Sequence, residues 1–222
     1  MSTPELKAVI FDMDGVLIDS EPVWQIAEYR VLSELGLNIS MQDMLLTTGL
    51  RIDQVVDYWY ARFPWKNYDN QQTAQAIVDQ VVSHIAANGE PMKGVLSALN
   101  ACRERGLKVG LATSSSSDII NAVLNKLEIA TYFQAIKSAE HLTYGKPHPE
   151  VYLNCAQALN IDPIYCLAIE DSFNGLIAAR AANMQTAAIP DPQQADLSKW
   201  VVAHKQLNSL EDLPEYLMYL RP

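Results

Sequence analysis

The sequence is short of positive charge. Lys and Arg number 16 against 26 Asp and Glu in 222 residues, a formal charge of -10. A surface of that sign repels nucleic-acid phosphates and anionic lipid headgroups, so neither is expected as a partner. A small anion is still admissible wherever a local cation receives it. Cysteine is scarce too: Cys102, Cys155 and Cys166 are the three in the chain, none forms a CxxC pair, and each sits in an apolar run. That pattern argues against a disulfide or a metal site and for small buried hydrophobes in a reducing compartment. No apolar run reaches the length of a membrane-spanning helix. The apolar stretch near the N-terminus is broken by Asp12, Asp14 and Asp19, unlike a secretory signal. There is no fixed-period repeat, and the serine run Ser114–Ser117 is too short to be a linker. A cytoplasmic monomer is expected.

What the chain does have is core material. Apolar residues make up 49% and charged residues 19%, which suits one large domain or a core with a smaller companion. Five short apolar, β-branched-rich runs read as strands buried on both faces: Lys7–Asp12, Leu107–Ser114, Ala135–Ala139, Cys166–Asp171 and Thr186–Pro190. The last four alternate with helical patterns. Val95, Leu99 and Cys102 recur at helical spacing before a stop at Gly106; Ile119, Ile120, Val123, Leu124 and Leu127 form a second pattern, and Val151, Cys155 and Leu159 a third, entered at Pro149. Such alternation predicts an α/β fold with a doubly wound, Rossmann-like parallel sheet. After the first strand it is interrupted by three helical stripes: Trp24, Ala27, Val31 and Leu35; Val55, Val56, Trp59, Tyr60 and Phe63; Ile77, Val78, Val81, Val82 and Ile85. They predict an all-helical insertion over residues 18–88, leaving 1–17 and 89–222 as the α/β core.

Chemistry-bearing residues fall at the strand ends. The first run ends in Asp12-Met13-Asp14-Gly15, the second in Thr113-Ser114, and the fourth in Glu170-Asp171-Ser172; Gly145-Lys146-Pro147 follows the third. Ligands of open parallel sheets bind beyond the carboxyl ends of the strands, so these groups are expected to converge on one crevice. Two neighbouring carboxylates such as Asp12 and Asp14 cannot both ionise cheaply without a cation, and Asp171 adds a third. A hard divalent ion with oxygen ligands, Mg²⁺, answers that need. An EF-hand loop is excluded, because Val16, Leu17 and Ile18 follow where further acids are required.

Asp12-Met13-Asp14-Gly15-Val16, Thr113-Ser114, Lys146-Pro147 and Glu170-Asp171-Ser172-x-Asn174-Gly175, in that order, resemble the four motifs of the haloacid dehalogenase superfamily. The helical insertion is similar to the small cap of its β-phosphoglucomutase-like branch. Ile18-Asp19-Ser20-Glu21-Pro22, the run Gly49–Tyr60 and Lys146-Pro147-His148-Pro149 resemble the bacterial hexitol-phosphate and 2-deoxyglucose-6-phosphate phosphatases within that branch. The resemblance implies an Mg²⁺-dependent phosphatase acting on small sugar or sugar-alcohol phosphates. Asp12 is then the nucleophile that becomes an aspartyl phosphate, and Asp14 the acid and then the base. It further implies Mg²⁺ held by the Asp12 carboxylate, the Asp14 carbonyl and Asp171, with Glu170 acting through a metal-bound water. Lys146, Thr113 and Ser114 then bind the phosphoryl group.

Three positions depart from the family pattern. Asn183 replaces a Gly, and Asn tolerates the left-handed conformation. Lys93 stands where Pro is frequent. Trp24 occupies the place of the histidine that serves the sugar in the mutases, and the chain has no histidine between Asp14 and His84, so hydrolysis is favoured over β-phosphoglucomutase activity. Phosphonatase chemistry lacks a convincing Schiff-base lysine, since Lys66 is the only lysine between Lys7 and Lys93 and lies beside Pro64 and Trp65. Dehalogenation has no use for Asp14 as a proton donor. A receiver-like signalling module also uses paired acids, Thr/Ser and Lys, but needs no insertion and is much shorter. In the cap, Arg51 is expected to reach the substrate or to be a solvated helix-start arginine, and Trp24 to be core packing rather than a sugar platform.

Overall fold

The computed structural model describes residues 5–220. The chain begins with β1 (Ala8–Phe11) and then runs through α1 (Glu21–Glu34), a 3₁₀ segment (Met41–Leu46), α2 (Ile52–Arg62) and α3 (Asn70–Asn88). Next come α4 (Val95–Glu104), β2 (Lys108–Thr113), α5 (Ser117–Leu127), β3 (Ala135–Ser138), α6 (Glu150–Leu159), β4 (Cys166–Glu170), α7 (Phe173–Ala181) and β5 (Gln185–Ala188). A two-residue strand, β6 (Lys205–Gln206), and α8 (Leu213–Tyr219) complete it. The strands form one six-stranded sheet in the order β3-β2-β1-β4-β5-β6, all pairings parallel. All five strands expected from the apolar runs are present. β6 was not anticipated, because its residues are exposed and polar and leave no hydrophobic pattern to read.

The two-residue period of β1 sorts its side chains between two cores. Val9 and Phe11 face one way and join Leu111, Leu167 and Ile169 beneath α4, α5 and α8. Ala8 and Ile10 face the other way and join Ala112, Ala168, Val151, Cys155 and Ala178 beneath α6 and α7. Both faces of β1 and β4 are buried, which is why these strands read as continuous apolar runs. The chain winds outward from β1 to β3 and then returns to lay β4 on the other side of β1. That reversal opens a crevice past the ends of β1, β2 and β4.

The helical insertion shares its core with the sheet. Ala27, Val31, Val56, Ile77, Val81 and Ile85 belong to the same continuous core as the sheet residues, and α3 packs against α5. A small cluster of its own, Leu32, Leu37, Met44, Val55 and Trp59, holds α1, α2 and the 3₁₀ segment together. Trp59 is thus packing, as its stripe implied. The chain enters and leaves the insertion side by side: Ile18 forms bridges with Asp14 and Pro91, and Asp19 donates its N–H to the Glu90 carbonyl at 3.0 Å. Asn183 adopts the left-handed conformation expected of it, with φ 61°. No described helix is long and apolar enough to cross a membrane.

Candidate active site

Asp12 is the first residue past β1, and its N–H donates to the Ile169 carbonyl of β4 at 3.0 Å. That bond fixes the Asp12 backbone at the mouth of the switch point. Its carboxylate accepts from Lys146 Nζ at 2.7 Å, and the same ammonium reaches Glu170 Oε1 at 2.6 Å. All three side chains are buried. Tyr152 Oη donates to Glu170 Oε1 at 2.5 Å, while the Ser172 N–H and hydroxyl serve Glu170 Oε2 at 3.3 and 3.0 Å. Glu170 is thereby saturated with donors and anchors Lys146 beneath Asp12. Burial opposes the charge on Lys146, but Asp12 and Glu170 outweigh it and its pKa is raised.

Two glycines make the approach of these groups possible. Gly15 turns the chain back with φ 69°, and a Cβ there would also overlap the Asp171 carboxylate. A Cβ at Gly175, in the first turn of α7, would overlap the Glu170 carboxylate. The spacing Asp-x-Asp-Gly and Glu-Asp-Ser-x-Asn-Gly therefore has a steric origin: each glycine leaves room for an acid presented by the other segment or by its own.

Asp14 is held apart from that buried group. Its Oδ1 accepts from Ser20 Oγ at 2.6 Å and Trp24 Nε1 at 2.7 Å, and its Oδ2 from Ser115 Oγ at 2.6 Å. Trp24 packs against the main core with one edge and orients Asp14 with its N–H. Thr113 Oγ1 accepts from the Ser115 N–H at 3.0 Å, and Ser114 Oγ is buried without a protein partner. Asp12, Asp14, Thr113, Ser114, Lys146 and Asp171 all line one pocket between sheet and insertion.

Asp12, Glu170 and Asp171 offer carboxylate oxygens within 4.8 Å of one another. Asp171 has no hydrogen-bond donor among the described residues. Burial, followed by the charge of Glu170, pushes the Asp12 carboxyl up to about 8 against the pull of Lys146. Burial, followed by Glu21 and Asp12, pushes Asp171 well above the carboxylate range. A set of hard oxygens with one ammonium among them fits a divalent cation of the Mg²⁺ type.

Arg51 lies elsewhere. It is the N-cap residue of α2, the helix-start position that the sequence left open for it. Its guanidinium pairs with Asp53 at 2.5 and 2.7 Å and donates through one Nη to the carbonyls of Ala139 and Leu142 at 2.7 and 2.5 Å. It does not line the pocket, so it is placed as a latch between insertion and core rather than against a ligand. Asn174 Nδ2, at 3.5 Å from the Thr48 carbonyl, and Gly49, packed on Ser172, make the same closure.

The sequence reading missed several lining or supporting residues. Ser115 belongs to a serine run that carried no periodic signal. Tyr152 neighbours an apolar stripe and looks like one more core aromatic. Glu21, Gln25 and Glu28 recur at i, i+4 and i+7 on α1 and line the pocket with Trp24; that polar periodicity is present in the sequence beside the apolar stripe of the adjacent face.

A family model described as haloacid dehalogenase-like hydrolase matches residues 9–189. The chain belongs to the haloacid dehalogenase-like hydrolases. This hydrolase is 45% identical over 215 residues to hexitol phosphatase B of Escherichia coli K12, covering 96% of the chain and 97% of that protein. It is 33% identical over 184 residues to the fructose-1-phosphate phosphatase of the same organism, covering 82% of the chain and 95% of the relative. Among solved structures, a β-phosphoglucomutase from Clostridium difficile superposes with a TM-score of 0.82 at 26% identity over 96% of each chain.

Proposed function

We propose that this hydrolase is a phosphatase of small sugar or sugar-alcohol monophosphates, working through an aspartyl phosphate on Asp12. The observation that carries the reading is Asp12, backed by Lys146 at 2.7 Å, on the floor of a pocket that also takes Asp14, Thr113, Ser114 and Asp171. The names of the two phosphatase relatives support the substrate class.

Asp12 is the group placed to attack phosphorus as the ester P–O bond breaks. Asp14 gives its proton to the departing alkoxide, and Ser20, Trp24 and Ser115 fix the orientation of its carboxyl group. Asp14 then takes a proton from the water that attacks the acyl phosphate, releasing inorganic phosphate and restoring the Asp12 carboxylate. Lys146 offsets charge on both the nucleophile and the phosphoryl oxygens, and Thr113 and Ser114 border the same space. A divalent cation bound by Asp12 and Asp171, with the Asp14 carbonyl and Glu170 in support, would stabilise charge on the transferring phosphoryl group.

β-Phosphoglucomutase activity has a structural neighbour in its favour, but the cap side of the pocket speaks against it. A bisphosphate intermediate needs a cation at its distal phosphate. The charged residues lining the cap side are Glu21 and Glu28, and the pocket's single cation, Lys146, is already engaged by Asp12 and Glu170. A receiver-like module has no use for a pocket roofed by an insertion. The test is Asp12→Asn, assayed on a panel of phosphorylated metabolites. Turnover is expected to vanish with the circular dichroism spectrum unchanged; near-normal hydrolysis by the variant would remove the covalent route.

A further inference from the structure

The two walls of the pocket differ in chemistry. The core wall carries the carboxylates, hydroxyls and ammonium just described. The cap wall presents one face of α1, on which Glu21, Trp24, Gln25 and Glu28 follow at i, i+3, i+4 and i+7. Glu28 is 7% exposed. A carboxyl group that deep is costly unless something bonds to it. Its one side-chain hydrogen-bond partner among the described residues is Thr47 Oγ1, at 3.4 Å from Oε2, and that hydroxyl lies closer to the Met44 carbonyl, at 3.0 Å. A threonine hydroxyl has a single proton, so the shorter contact takes it and Glu28 is left without a donor. Its Oε1 has no hydrogen-bond partner among the described residues. Thr48 Oγ1, on the same wall, is buried and unpartnered as well. Neither Lys nor Arg of the insertion lines the pocket to pair with the acid.

We propose that Glu28, with Gln25 and the Thr47–Thr48 turn, forms a hydroxyl-binding subsite that takes the uncharged polyhydroxy chain of the leaving group. The proposal rests on the phosphatase reading above and names the part of the substrate that the cap selects. A hydroxyl both donates and accepts, and adjacent hydroxyls match the two oxygens of one carboxyl group. Burial, followed by the charge of Glu21, pushes the Glu28 carboxyl up to about 8. At neutral pH it is therefore mostly a neutral acid, able to donate and to accept like its intended partner. The location agrees. Trp24 bonds Asp14, the group that serves the ester oxygen, and Glu28 stands one helical turn further on, about 6 Å along the axis. That is the reach of several carbons from the phosphate. A second phosphate there would meet two acids and no cation.

The experiment compares a hexitol 6-phosphate with n-hexyl phosphate, which has the same chain length and no hydroxyls. The readout is the ratio of the two kcat/KM values in wild type, Glu28→Leu and Glu28→Gln. The wild-type ratio is expected to exceed about tenfold, to fall about tenfold in Glu28→Leu, and to stay within about threefold of wild type in Glu28→Gln, whose amide still donates and accepts. A ratio near one in wild type overturns the subsite whether or not Glu28→Leu folds. So does an unchanged ratio in a folded Glu28→Leu, or a loss in Glu28→Gln as large as in Glu28→Leu. Absence of turnover of any phosphate monoester by the wild type overturns the phosphatase reading itself, a result separable from turnover without selectivity.

Discussion

Replacing Lys146 with Met tests what holds the floor of the pocket together. Lys146 is 1% exposed and is the counter-charge to both Asp12 and Glu170, at 2.7 and 2.6 Å. Met keeps the apolar stem and deletes the ammonium. Two buried carboxyl groups then face each other with no cation between them, and removing one partner from such a set costs about 3–5 kcal/mol. For a chain of this size each kcal/mol moves Tm by about 2–4 °C, so the variant is expected to melt roughly 6–20 °C below wild type. The measurement is calorimetric melting in EDTA, so that no divalent ion substitutes for the missing charge. Its pH dependence has a definite sign. The folded Asp12 carboxyl already holds a proton up to about 8 in the wild type, and losing Lys146 pushes its titration higher still, whereas the unfolded chain releases that proton above the ordinary carboxylate range near 4. The unfolded state then binds fewer protons than the folded one, and stability falls as pH rises. In the wild type that fall ends as Asp12 ionises near pH 8, and in the variant it continues, so the deficit must widen above about pH 8. A Tm within about 3 °C of wild type, or a deficit that widens toward acid, would refute the reasoning.

The remaining predictions concern the neighbours of that group. Gly175→Ala places a methyl group into the Glu170 carboxylate; overpacking of this kind costs about 1–3 kcal/mol, so Tm drops by several degrees and kcat falls as Glu170 and Lys146 shift, whereas a wild-type melt and rate would show that the first turn of α7 simply moves aside. Arg51→Ala breaks the latch to the Ala139 and Leu142 carbonyls, so kcat/KM is expected to fall about tenfold and by the same factor for a sugar phosphate and for p-nitrophenyl phosphate; a loss confined to the sugar phosphate would return Arg51 to the substrate. Chelation with EDTA is expected to abolish turnover and added Mg²⁺ to restore it, because Asp12, Glu170 and Asp171 crowd three acids around the single ammonium of Lys146; full activity in EDTA would contradict the reading of the acid cluster as a cation site.

Much of this was legible before any coordinates. A parallel strand buried on both faces is written as an apolar run, and the residue that follows it must stand at the sheet edge, so Asp12, Thr113 and Asp171 could be placed at one crevice from their positions in the chain. What failed to show was of another kind. Tyr152 and Ser115 reach their partners, Glu170 and Asp14, across 18 and 101 residues of sequence, and nothing local distinguishes them from a core aromatic or a loop serine. Arg51 was left open between the substrate and a helix start; beside Asp53, its partners are main-chain carbonyls after β3, groups that every residue carries and no pattern marks.

The periodicity and the order of the strand-end acids determined, by themselves, the α/β architecture, the inserted helices and which side chains gather at the pocket floor. Those features follow from short-range geometry: which way a strand's side chains point, and what a chain must do when the strand ends. The roof of the pocket was decided only by how the insertion docks. That docking turns Glu21, Gln25 and Glu28 inward, commits Arg51 to closure, and leaves a buried acid waiting for a partner. Such outcomes depend on the angle between two packed bodies, which is set by contacts distant in sequence and summed over the whole interface.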